Sequence, residues 1–305
     1  MVKLLPLAIA MIARPAAGAF EVSYQYSLST VTGVVPFAAV RLGLDPWHEE
    51  IFVVGDGLVR IFNRSGMEVF AFGNDPELGV PSGAVALENG DLLVLAYADG
   101  RPSLVRCNFR GEPVAKVPLK GVPAAFADGF LPGAIASAAS HVYLADKGAM
   151  KVLVTELDGT YVDSFDVARL LEVGDRRGDY GLAGFNVDRD GNVLFTVQPL
   201  FSAYVLSPKG DLRGFGQRGS APGKFNVVGG IARDDQGYLY VTDVLKSAVL
   251  VFDPEFRFVK EFGYRGSRSS NLVAPIDVVA VGGHLYVAQN ARRGVSVFKV
   301  SPRQN

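Results

Sequence analysis

One cysteine, three histidines and no excess of either charge leave this 305-residue chain poor in the usual ingredients of metal and redox sites. With Cys107 alone, no intramolecular disulfide, no cysteine-based zinc site and no Cys-x-x-Cys-His haem attachment can form. Cys107 lies in the alternating run LVRCNF and reads as a small packed side chain. Lys and Arg number 30 against 31 Asp and Glu, so no global field draws in a polyanion or lays the chain on an acidic membrane. A nucleic-acid partner is therefore disfavoured. Past residue 20 no apolar run is long enough to cross a bilayer. The 35 glycines and 17 prolines are spread along the chain rather than pooled in one tract, which predicts many turns rather than disorder.

The first residues differ from the rest. A short basic start at Lys3, an apolar stretch over residues 4–12 and the small residues Ala17, Gly18 and Ala19 predict a cleavable secretory signal, cut after Ala19. A periplasmic or extracellular mature chain follows. No cysteine stands at the cut, which argues against a lipid anchor.

Self-comparison reveals a repeat. The apolar run YLYVTD ending at Asp243 recurs as runs ending at Asp56, Tyr97, Asp146, Gln198 and Gln289, spaced by 41, 49, 52, 45 and 46 residues in chain order. Each is preceded by a shorter apolar stretch (PFAAVRL, PSGAVAL, PGAIAS, AGFNVD, VGGIARD, PIDVVAV) and a tight turn such as Asp188-Arg189-Asp190-Gly191, and is followed by two more alternating runs. Four strands per unit and six units predict an all-β, six-bladed β-propeller of four-stranded antiparallel blades. The sixth unit has only three strands. VSYQYSLS, residues 22–29, precedes the first unit without a partner and is expected to supply the fourth, closing the ring and removing its open edges. The expected organisation is a signal over 1–19, one propeller over 20–300 and a tail over 301–305.

The stretches GQRGSAPGKF, GGIARDDQGYLYVTD, VLVFD and FVKEFG resemble the repeat of the NHL-repeat propellers, strongly in unit five and more loosely elsewhere. The resemblance implies the fold; the repeat residues build a blade and do not name a function. Some secreted propellers of this type are lyases with a zinc held by three histidines, and RNA binding is known for cytosolic members. The three histidines here, His48, His141 and His284, each stand at the turn entering a second strand of a different unit, too far apart to share one metal.

Breaks in the repeat carry the candidate chemistry. Near the start of the first strand of each unit stand Ala38, Gly83, Ala134, Gly184, Gly230 and Asp277. Five are small, as crowding at the ring axis requires, and Asp277 is a lone carboxylate among them. The residues at the second-strand exit, three of them aspartates, are expected to fix turns rather than converge on one ion. No nucleophile elbow or phosphate loop is present. An insertion over residues 166–181 predicts a short helix with Leu170 and Leu171 packed on the ring and Arg176 and Arg177 facing water. With Lys246, Arg265, Arg268, Arg292 and Arg293 on neighbouring loops, these arginines predict a basic docking patch. The expected function is an exported, non-enzymatic scaffold that binds a protein partner or extracellular polymer, with no cofactor, metal or catalytic residue. The alternative is a lactonase-like hydrolase or a lyase with a metal in the channel, using Asp277 and Asn186.

Overall fold

A strand that is apolar on both faces, such as IFVV at residues 51–54, must be covered on both sides. The computed structural model, which describes residues 20–30, 32–34, 40–73, 75–138, 140–290 and 293–302, meets that demand by stacking six sheets around an axis. The candidate signal over 1–19, Ala38 and Arg292 lie outside the described residues.

Blade one is Arg41–Asp45, Glu50–Gly55, Leu58–Phe62 and Glu68–Gly73 from axis to rim; blade two is Val80–Ala86, Leu92–Ala98, Arg101–Cys107 and Pro113–Val117. Blade three is Ala134–Ala138, His141–Asp146, Lys151–Glu156 and Tyr161–Asp166; blade four is Phe185–Val187, Val193–Val197, Ser202–Leu206 and Leu212–Phe215. Blade five is Val228–Arg233, Leu239–Asp243, Ala248–Phe252 and Phe258–Gly263. Blade six is Pro275–Val281, His284–Gln289 and Val295–Pro302, completed at the rim by Phe20–Ser27 from the other end of the described chain. Phe20–Ser27 runs antiparallel to Val295–Pro302, with Val22 opposite Val300 and Tyr24 opposite Phe298. The predicted ring closure is thus observed. The last strand reaches Pro302, two residues into the segment expected to be a tail.

Because side chains alternate across a strand, each blade sends odd and even residues into different neighbours. Phe52 and Val54 pack with Val94 and Ala96 of blade two. Ile51 and Val53 pack with Tyr286 and Val297 of blade six. Six such buried clusters fill the six spaces between blades. Cys107 is fully buried in one of them, and burial raises its thiol to about 11, well outside the reactive range.

The hairpin turns follow their sequence chemistry. Asp234 Oδ1 accepts from the Gln236 and Tyr238 amides at 3.0 and 2.9 Å, and Gly237 takes φ +87° to close the turn. At the second-strand exit, Asp146 accepts from the Leu131 and Ala149 amides, each at 2.8 Å. Asp243 accepts from the amides of Asn226, Leu245 and Lys246. These aspartates tie the connector entering their own blade to the turn leaving the second strand.

In the 166–181 insertion Val167–Leu170 is helical, with Asp166 capping it by accepting from the Arg169 amide at 3.1 Å. Val167, Ala168 and Val173 are its buried residues, and Leu171 packs partly against the same cluster. Leu170 is exposed, contrary to expectation, because the helix is a single turn and turns that face outward.

Candidate ligand-binding channel

The inner strands all begin at one face of the ring and end at the other, so the channel they enclose has two different halves. Where they begin, backbones crowd: a Cβ on Gly230 would stand 2.6 Å from Asp277 Cα, and one on Gly83 would stand 2.6 Å from Ile135 Cγ2. The small residues read from the sequence are a steric requirement at this neck. A chamber of about 30 Å³ remains there, with Arg41, Ser82, Phe185 and Asp277 in its wall.

Asp277 is buried, with Oδ2 accepting from the Leu42 amide and Oδ1 from the Val278 amide, both at 3.0 Å. Burial raises its carboxyl above the usual range, and the Arg41 guanidinium, the Leu42 amide and the Lys147 ammonium oppose that rise. Lys147 follows the second strand of blade three and donates to the Ala183 carbonyl. Burial, then the Arg41 charge, pull Lys147 down to about 8 against the attraction of Asp277. The Arg41 side chain has no hydrogen-bond partner among the described residues. The sequence alignment offered Ala38 for this ring position in blade one. By register it is Arg41, which pairs with Val54 as Gly83 pairs with Leu95, each two residues before the second-strand exit.

Toward the other face the channel widens into a funnel of about 740 Å³. Its walls carry the apolar side chains Leu44, Val85, Ile135, Phe185 and Val279 from five blades, and Asn186 reaches it from blade four. Six carboxylates (Glu49, Glu88, Asp188, Asp190, Asp234, Asp235) and two arginines (Arg189, Arg233) line it, an excess of four negative charges. Some of that charge is tied up locally. Asp188 pairs with Arg233 at 3.2 Å, Asp235 with Arg189 at 3.2 Å, and Glu49 with Arg64; Asp234 Oδ2 accepts from the Tyr240 hydroxyl at 2.6 Å. The side chains of Glu88 and Asp190 are exposed and have no partner among the described residues. On the rim stands the chain's one tryptophan, Trp47, 48% exposed.

The histidines stay apart, as their spacing implied. His48 Nδ1 lies 2.8 Å from Asp45 Oδ2, His284 Nδ1 lies 3.1 Å from the Gly282 carbonyl oxygen, and His141 lines the funnel with Nε2 3.6 Å from Glu156. No group of three potential metal ligands occurs among the described residues.

The basic loops lie on the neck face, with their charges in different states. Lys246 is inside the protein, its side chain 7% exposed, paired with Glu261 at 3.0 Å and donating to the Ala221 carbonyl. Arg177 pairs with Asp166, and Arg176 stands 5.7 Å above the Tyr180 ring. Arg293 donates to the Arg268 and Asn271 carbonyls at 3.3 Å. Arg265 and Arg268 are exposed. The structure therefore brings Asp277 into a charged neck with Arg41 and Lys147, neither of which the sequence singled out.

Comparison with known proteins agrees with this architecture. No family model matches the chain. An alignment 110 residues long, covering 33% of the chain, is 29% identical to protein brain tumor of Drosophila melanogaster and spans 11% of that protein's length. A catalytically inactive virginiamycin B lyase from Staphylococcus aureus, carrying a histidine-to-alanine change and solved with quinupristin, superposes with a TM-score of 0.58 at 12% identity, covering 92% of this chain and 99% of that one. A chain of a nidogen/laminin complex superposes with a TM-score of 0.55 at 15% identity, covering 79% and 85%. The chain shares their fold. At such identities the likeness extends no further than that. No helix among the described residues is long and apolar enough to cross a membrane.

Proposed function

We propose that the protein is an exported, non-catalytic propeller that binds a protein partner through the funnel face. The observation that carries this reading is the funnel itself: an opening of about 740 Å³ with apolar side chains from five blades in its wall and a half-exposed Trp47 on its rim. Cavities of this size that combine apolar walls with polar groups are where rigid scaffolds seat ligands, and tryptophan is among the side chains enriched as anchors of a partner. A structure of the same fold taken from a nidogen/laminin complex supports the idea that such a ring can serve as a docking body. The exposed arginines Arg265 and Arg268 on the opposite face give the competing docking surface.

The test compares three forms of the mature chain as bait for proteins of the compartment it is exported to. Ser137→Phe fills the funnel from blade three, and Arg265→Ser with Arg268→Ser discharges the other face. A specific partner retained by wild type and by the arginine variant, but lost at least tenfold with Ser137→Phe, is the expected result. Retention by Ser137→Phe with loss in the arginine variant would move the docking surface to the basic loops. A stoichiometric divalent ion removable only by a chelator would overturn the non-catalytic reading.

A further inference from the structure

The funnel and the neck chamber adjoin, since Leu42, Ile135 and Phe185 line both. The two ends of the channel differ in charge. At the neck, Arg41 and Lys147 face a single buried carboxylate, Asp277, whose oxygens are already held by two backbone amides. The Arg41 guanidinium, with five N–H donors, meets none of its hydrogen-bonding capacity among the described residues. At the rim the excess is negative, and Glu88 and Asp190 have no cation to answer them. Between the ends stand the apolar side chains Leu42, Ile135 and Phe185. Gly83 in the neck wall and Glu88 on the rim lie on one connected stretch of blade two, at most about 16 Å apart at the rise of an extended strand.

We propose that the channel takes an elongated zwitterionic ligand, anionic end inward against Arg41, apolar middle against Leu42, Ile135 and Phe185, and cationic end at the rim near Glu88, Asp190 and Trp47. This deepens the reading of the funnel as a binding mouth and rests on it. An anion at the neck supplies the acceptor that Arg41 lacks, through a charge-assisted hydrogen bond of the kind a guanidinium makes best. A cation at the rim sits among carboxylates, on the mouth that also carries Trp47, the kind of aromatic side chain that attracts cations best. Polarity fixes the orientation, because reversing the ligand sets like charges against each other at both ends.

The single tryptophan gives a direct readout. Emission from Trp47 in the mature chain is titrated with 8-aminooctanoate, octylammonium and octanoate, probes of one length that differ only in their charged ends. The zwitterion is expected to bind at least tenfold more tightly than either singly charged probe. In Arg41→Met the zwitterion falls to the level of octylammonium, while Arg41→Lys, which keeps the charge, retains most of the difference. In Glu88→Gln with Asp190→Asn it falls to the level of octanoate. Equal affinity for all three probes, or no change in Trp47 emission with any of them at millimolar concentration, overturns the proposal. If partner capture is still lost with Ser137→Phe under that outcome, the funnel remains a docking mouth and only its ligand chemistry has been misassigned.

Discussion

Lys147 shows how far the neck departs from ordinary surface electrostatics. Burial brings its ammonium down from 10.5 to about 8. Below pH 8 the folded and unfolded chains both hold this proton, and the cost of burying the charge is fully present. Between about pH 8 and 10.5 the folded chain has released it while the unfolded chain retains it, so stability rises with pH across that window. The rise attributable to Lys147 amounts to at most about 3 kcal/mol. We expect wild type to gain stability relative to Lys147→Met on going from pH 7.5 to 10 in denaturant melts. A difference that stays flat over that interval would mean that the ammonium is solvated. Asp277, which the sequence marked as an oddity, makes sense in this setting: it is the carboxylate that lets two cations share a narrow space.

At the scale of the element, the strand Phe20–Ser27 bears on the whole ring. Phe20 is buried against Tyr238 and Tyr240 of blade five, with ring centroids 5.1 and 6.3 Å away, and Lys260 donates to its carbonyl at 3.1 Å. Removing residues 20–27 would leave Val295–Pro302 as an unpaired edge and uncover part of the cluster between blades five and six. A chain starting at residue 28 is expected to melt more than 10 °C below one starting at residue 20 and to associate on a sizing column. Equal melting temperatures and a monomeric profile would show that three strands suffice for blade six. This element was legible in advance, because an alternating run with no partner at one end matched a missing strand at the other. The insertion after Asp166 was legible only as a helix. Which leucine it buries depends on how a single turn sits on blade three, and no periodicity can be read from one turn.

For the whole molecule, export remains a proposal about residues that precede the ring. It predicts that chain recovered from the exporting cell's outer compartment begins at Phe20 by intact mass and amino-terminal sequencing, and material that keeps residues 1–19 would contradict it. The ring, its six blades and its closing strand were determined by the sequence itself, because apolar alternation and turns built on glycine or Asx act over a few residues and recur from unit to unit. The exits at Asp146 and Asp243 were likewise local, each carboxylate serving turns within its own blade. Tertiary structure alone decided the channel. Arg41, Lys147 and Asp277 come from blades one, three and six, and Trp47, Glu88 and Asp190 from turns of blades one, two and four, so nothing local links them. Only when six inner strands converge on one axis do these charges face one another, with Glu88 and Asp190 left open at the funnel mouth.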